Sequence, residues 1–162
     1  MKKSITLELK MSELIYDIQN KTYLTGRALS GSSNHAHVAN MQANDDDENE
    51  AQILRSITMA VSTLHNRLAE YLDISSTSSN NDSLTLSDSV TLMLQMPSNF
   101  NPSVTKSLGE AAHQFIVSSA IADWFAITAK DETADYTTAA SSALLVLEEA
   151  LCKRSRPKRA SS

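Results

Sequence analysis

Along residues 103–152 apolar positions recur every three or four residues, the period of an α-helix, in two runs that meet at Ala129-Lys130-Asp131-Glu132-Thr133. The pattern predicts a helical hairpin. In the first run the stripe is Val104, Leu108, Ala111, Phe115, Ser118, Ala122, Phe125 and Ala129. Val117, Ile121 and Trp124 form a second row, and Ile116, Ala120 and Ile127 a third, so the second half of this helix is apolar around most of its circumference. A surface helix keeps one wet face, so such a helix is either central or shared with another subunit. At 1.5 Å per residue it spans about 39 Å. In the second run Thr133 is the expected N-cap, and Tyr136, Ala139, Ala140, Ala143, Leu147, Ala150 and Leu151 form the stripe.

Upstream the period changes. Residues 4–10 alternate, with Ile5, Leu7 and Leu9 on one side and polar groups on the other, as in a half-buried strand. Ser12 is the expected N-cap of a helix carrying Ile15, Ile18, Thr22 and Thr25, stopped by Ser30-Gly31-Ser32-Ser33-Asn34. The polar stretch to Asn44 reads as a mobile loop. An acidic run from Asp45 to Glu50 then suits a helix N-terminus, with Asp45 and Glu48 spaced as a capping box. The helix it opens has a clear stripe of Ile53, Ile57, Ala60, Leu64, Leu68 and Tyr71. After a Ser/Thr/Asn/Asp tract over residues 75–83, Leu84-Thr85-Leu86 and the alternation of Val90, Leu92, Leu94 and Met96 predict a strand or hairpin, ended by Pro97 and Pro102. Paired with residues 5–9, it gives an α+β fold, mainly α: a four-helix core with a small antiparallel β element.

The chain of 162 residues is long enough for one domain with a real core. We expect that domain over residues 1–152 and a basic flexible tail over 153–162. The 14 Lys and Arg against 19 Asp and Glu give −5 overall; five of the bases (Lys153, Arg154, Arg156, Lys158, Arg159) lie in the tail, leaving 9 against 19, or −10, on the body. A single cysteine, Cys152, excludes an internal disulfide and points to a reducing cytoplasm. The residues after Met1-Lys2-Lys3 alternate where a secretory signal needs a continuous apolar run, and no stretch of about 18 apolar residues suggests a membrane span.

Little in the chain carries chemistry. His35-Ala36-His37 has metal-ligand spacing but no adjacent Cys, Asp or Glu to complete a site, and the acidic run lacks the glycine and terminal carboxylate of a calcium loop. His113 and Asp123, ten positions apart on one helix, cannot share a proton. There is no serine elbow, glycine-rich phosphate loop or paired-cysteine motif. These readings imply no catalytic residue, metal or cofactor and a non-enzymatic role. Asp123 is expected on a face that meets water or a cation. The tail reads either as a phosphate-gripping polycation or as a helix end that lies on an acidic surface, and no aromatic interleaves its bases to stack on single strands.

Four stretches carry a resemblance: Ser-Ile-Thr-Leu-Glu-Leu-Lys over 4–10 with Tyr16 and Tyr23-Leu24-Thr25-Gly26, the helix end from Leu64 to Leu72, Phe115 to Ala129, and Glu132-Thr133-Ala134-Asp135-Tyr136 leading to Lys153-Arg154-Ser155-Arg156-Pro157. Together they resemble a family of small virion structural proteins of Bacteroides-type phages and prophages. The layout also resembles the head-to-tail connector, or neck, proteins of tailed phages, although the N-terminal strand and the β region depart from it. The resemblance implies a homo-oligomeric ring in the virion, assembled in the bacterial host cytoplasm, that contacts portal and tail components. A tail-terminator or tail-tube component is the alternative within the particle, and a nucleic-acid-binding module the alternative outside it. On this reading Phe115, Ile121, Trp124, Phe125 and Ile127 form a subunit or partner interface, with at least one of Trp124 and Phe125 facing another copy. Lys153, Arg154, Arg156, Lys158 and Arg159 contact a partner or DNA.

Overall fold

The computed structural model describes residues 1–29, 39–76 and 88–158. The His35-Ala36-His37 stretch, the expected strand at Leu84-Thr85-Leu86, and Arg159 lie outside them. Strand β1 (Lys3–Lys10) leads directly into helix α1 (Met11–Leu29); α2 (Asp47–Leu68) follows, then β2 (Ser89–Met96), α3 (Thr105–Thr128) and α4 (Thr133–Cys152). The fold is α+β and mainly α.

β1 and β2 are antiparallel, with Ile5 opposite Leu94, Leu7 opposite Leu92 and Leu9 opposite Val90. These pairs share the face that packs toward the helices, and Leu7, Leu9, Leu92 and Leu94 are buried while Thr6, Glu8, Thr91 and Met93 are exposed. Alternation fixes which face is buried, since a one-residue slip would turn every leucine outward. The far edge of β2 is also used: Asp73 N–H donates to Met93 O at 2.9 Å and Gln95 N–H to Tyr71 O at 2.6 Å. The Asp73 carboxylate accepts from Ser75 N and Oγ and from Gln95 Nε2, hydrogen bonds that hold its pKa below the ordinary range.

α3 is the central element. It packs on α4, α2, α1 and β1, and 12 of its residues are buried, which leaves only Lys106, Ser107, Glu110, Gln114, Asp123, Ala126 and Ile127 exposed. Three apolar rows therefore reflect three layers of cover from one chain. α2 buries Ile53, Ile57, Ala60, Leu64 and Leu68, the expected stripe.

Several helix ends differ from expectation. α1 starts at Met11, whose N–H donates to Asp88 O at 3.0 Å, because the strand delivers the chain straight into the helix and leaves no cap position for Ser12. Asp45 is not in a capping box; its carboxylate accepts from Gln19 Nε2 at 2.6 Å and ties α1 to the start of α2, where Asp46 is the N-cap residue. Thr133 lies inside α4 after a 3₁₀ turn at Lys130–Glu132, so Glu132 takes the cap position; the Thr133 hydroxyl is buried without a hydrogen-bond partner. The polar stretch before Asn44 is partly fixed: residues 39–41 form a helical turn, and Met41 and Ala43 are fully buried.

Candidate assembly surfaces

The proposed interface set on α3 is mostly internal. Phe115, Ile121, Trp124 and Phe125 are buried, and Trp124 and Phe125 are only 7% and 0% exposed. Trp124 Nε1 donates to Met41 O at 2.8 Å, and the Phe125 ring meets Tyr136 edge-on with centroids 5.4 Å apart. Tyr136 in turn shares a 2.7 Å hydroxyl bond with Thr25. Within the chain, then, Met41 covers part of Trp124 and Tyr136 on α4 covers part of Phe125. Ile127 alone of that set is open, at 68%, beside exposed Ala126 and Asp123.

Large apolar side chains are exposed at several places among the described residues, Tyr16, Tyr23 and Leu24 on α1 and Met59 on α2 among them, and α4 carries a further group. From Thr137 to Leu147 the helix carries no charge, and Leu145 and Val146 are 66% and 47% exposed beside exposed Thr138, Ala139, Ser141 and Ser142. An exposed helix face on a monomer ordinarily carries charge. The missed signal was that 11-residue charge-free run, which the stripe Ala140, Ala143, Leu147, Ala150 explains on one side only. Ala139, placed in the core stripe from sequence, faces solvent.

A second surface lies where β1, the start of α1 and the first half of α3 converge. Within the described residues the outer edge of β1 bonds to no other strand, and β2 holds the inner one. Beside this edge runs a groove of about 460 Å³ lined by Glu8, Glu13, Glu110, Lys106, Gly109 and His113, among others. It continues into a hollow of about 280 Å³ formed by Ser12, Glu13, Tyr16, Asp17 and His113. His113 Nε2 lies 2.6 Å from Asp17 Oδ2; an ionised carboxylate only accepts, so the ring N–H donates. The sequence offered His113 no partner, because Asp17 sits 96 positions away. No hydroxyl of Ser12 or Tyr16 bonds to His113, so the described residues assemble no nucleophile and base pair there. Lys10 and Lys106 approach Glu13 and Glu110 at 4.0 and 3.8 Å, both highly exposed pairs, while Glu8 has no ion pair among the described residues.

The basic tail divides. Lys153 pairs with Glu149 at 2.7 Å, and that hydrogen bond and charge raise the lysine pKa and lower the glutamate's. Arg154 Nη1 donates to Leu151 O at 2.7 Å and to Lys153 O, satisfying carbonyls at the end of α4. The chain then turns extended and runs antiparallel past Phe100: Asn101 N–H donates to Lys153 O, and Ser155 N–H to Asn99 O at 2.7 Å. The expected flexible tail from residue 153 is thus anchored through Ser155. Lys153 and Arg154 serve the body, whereas Arg156 and Lys158 are exposed and make no hydrogen bond or ion pair among the described residues.

No group of three or more His, Cys, Asp or Glu among the described residues is placed to hold a metal, and no described helix is long and apolar enough to cross a membrane. Comparison with protein-family models, curated proteins and solved structures finds no match to this chain.

Proposed function

We propose that this chain is a non-enzymatic structural subunit of a phage virion, a head-to-tail connector that forms a homo-oligomeric ring between portal and tail. The observation that carries the reading is the charge-free outer face of α4. Leu145 and Val146 stand on it next to Ala139 and Ser142, small residues that let a second helix approach closely. Burying such a face against a copy of the same chain gains apolar contact at about 25 cal/mol per Å² and desolvates no charge.

Light scattering of the full chain across concentration, alone and with portal protein, tests this. The expected result is a discrete multi-subunit species, converted to monomer by Leu145→Glu with an unchanged circular dichroism spectrum. A monodisperse monomer that ignores the portal and is missing from purified particles overturns it.

A further inference from the structure

We infer that the outer edge of β1 is a docking site for the basic tail of a second copy of this chain, residues 156–159, which adds as a strand along the acidic groove. The inference rests on the self-assembly proposed above and names a contact that would make that assembly directional.

Three observations converge. First, a strand edge is a row of unpaired amides and carbonyls, and natural proteins guard it with central lysines, proline, bulges or a covering segment. β1 reads Lys-Ser-Ile-Thr-Leu-Glu-Leu-Lys, pairs with β2 without a bulge, has lysines only at its ends and has no proline. Its centre carries one charge, Glu8, which has no cationic partner. Second, the neighbouring groove is acidic: Glu8, Glu13 and Glu110 line it against Lys106, while Asp17 beyond them is taken by His113, and Lys10 and Lys106 hold Glu13 and Glu110 only at 4.0 and 3.8 Å in exposed pairs of little worth. Third, the chain supplies its own complement. Beyond Ser155 the sequence Arg156-Pro157-Lys158-Arg159 leaves an already extended segment, with Arg156 and Lys158 unpaired.

The proline sharpens the geometry. In an added edge strand alternate residues point their amides inward to the ladder, and proline is tolerated where its missing N–H would face solvent. With Pro157 outward, Arg156 and Lys158 both turn their backbone groups to β1 and their side chains to one face. Main-chain bonding then supplies affinity, and the carboxylates of the groove select a basic strand. A tail from one subunit in the groove of the next is a heterologous contact, which closes into a ring when the rotation permits and otherwise propagates.

The test uses the full chain, a version ending at Ser155, and the full-length variant Glu8→Lys/Glu110→Lys, whose sites are exposed and outside the core. A labelled peptide of residues 154–162 reads the groove directly. The peptide should bind the shortened chain, lose at least about tenfold in affinity for the charge-reversed variant, and weaken as salt rises. Sedimentation should show that the shortened and charge-reversed chains each self-associate more weakly than the full chain and that mixing them restores part of the association, since one contributes a groove and the other a tail. A shortened chain that assembles as well as the full chain overturns this docking while leaving the subunit reading intact. Absence of self-association in every version defeats the reading itself. Peptide binding to the shortened chain alone, with a monomeric full chain, assigns the groove to the chain's own tail and overturns the contact between copies.

Discussion

Trp124→Phe isolates how the centre of α3 is held. Trp124 Nε1 donates to the carbonyl of Met41 at 2.8 Å, and both residues are enclosed. Phenylalanine keeps the aromatic packing but leaves that carbonyl without its donor, a loss of about 1–3 kcal/mol for a buried group. The smaller ring also leaves a void on the order of 40 Å³, worth about 1 kcal/mol at ~24 cal/mol per Å³ if the walls do not collapse. Together they predict a loss of about 2–4 kcal/mol, a large share of the ~5–15 kcal/mol typical of a domain. Urea titration followed by far-ultraviolet circular dichroism measures it; the sole tryptophan is removed, so its fluorescence serves only the parent chain. The same segment is pinned from the other side by Ala43 N–H donating to buried Thr22 Oγ1 at 3.2 Å. Thr22→Val should therefore be sub-additive with Trp124→Phe, because either change releases residues 41–43 from α1 or α3. A loss below about 0.5 kcal/mol for Trp124→Phe, the range of inert surface changes, would refute the claim that this hydrogen bond fixes the segment.

Two further outcomes follow from local chemistry. Burial lowers the pKa of His65 below its ordinary 6.5, so the unfolded chain takes up the proton first; the stability held above that value should decline as pH falls through it, and His65→Gln should flatten this part of the denaturation profile. Gly109 lies in α3 with a helical backbone, and a Cβ there would meet Leu7 Cδ2 at 3.8 Å, ordinary contact; Gly109→Ala should raise stability by about 0.5–1 kcal/mol in urea, and a loss would show that the groove is tighter than this spacing implies.

The sequence was most legible where a period was long and one-sided. The α2 stripe and the alternation in β1 and β2 each fixed a buried face, and pairing between strands some 80 residues apart followed from there being two half-buried strands to cover. The misreadings share a cause. Three apolar rows on α3 state how much cover a helix needs without saying which segments provide it, and the cover for Trp124 comes from Met41 in a stretch too polar and short to show any period. Asp45 has an ordinary local role in the sequence, as a cap; its bond to Gln19, like that of Asp17 to His113, joins residues far apart in the chain and arises only once α1 is in place beside α3 and residue 45. Leu145 and Val146 lie off the expected stripe of α4, so their exposure was legible in the sequence as apolar residues with no buried face to occupy.

The carbonyl of Phe100 accepts from Lys3 Nζ at 2.9 Å and from Ser155 Oγ at 3.3 Å, while Asn99 and Asn101 exchange backbone bonds with Ser155 and Lys153. Mechanically, this is a clasp that joins the first strand to the last anchored residues through one short loop. Tension applied between those two points is carried across Asn99, Phe100 and Asn101, and the helical hairpin lies off the load path. Pulling on Lys3 and Ser155 would load these few bonds directly.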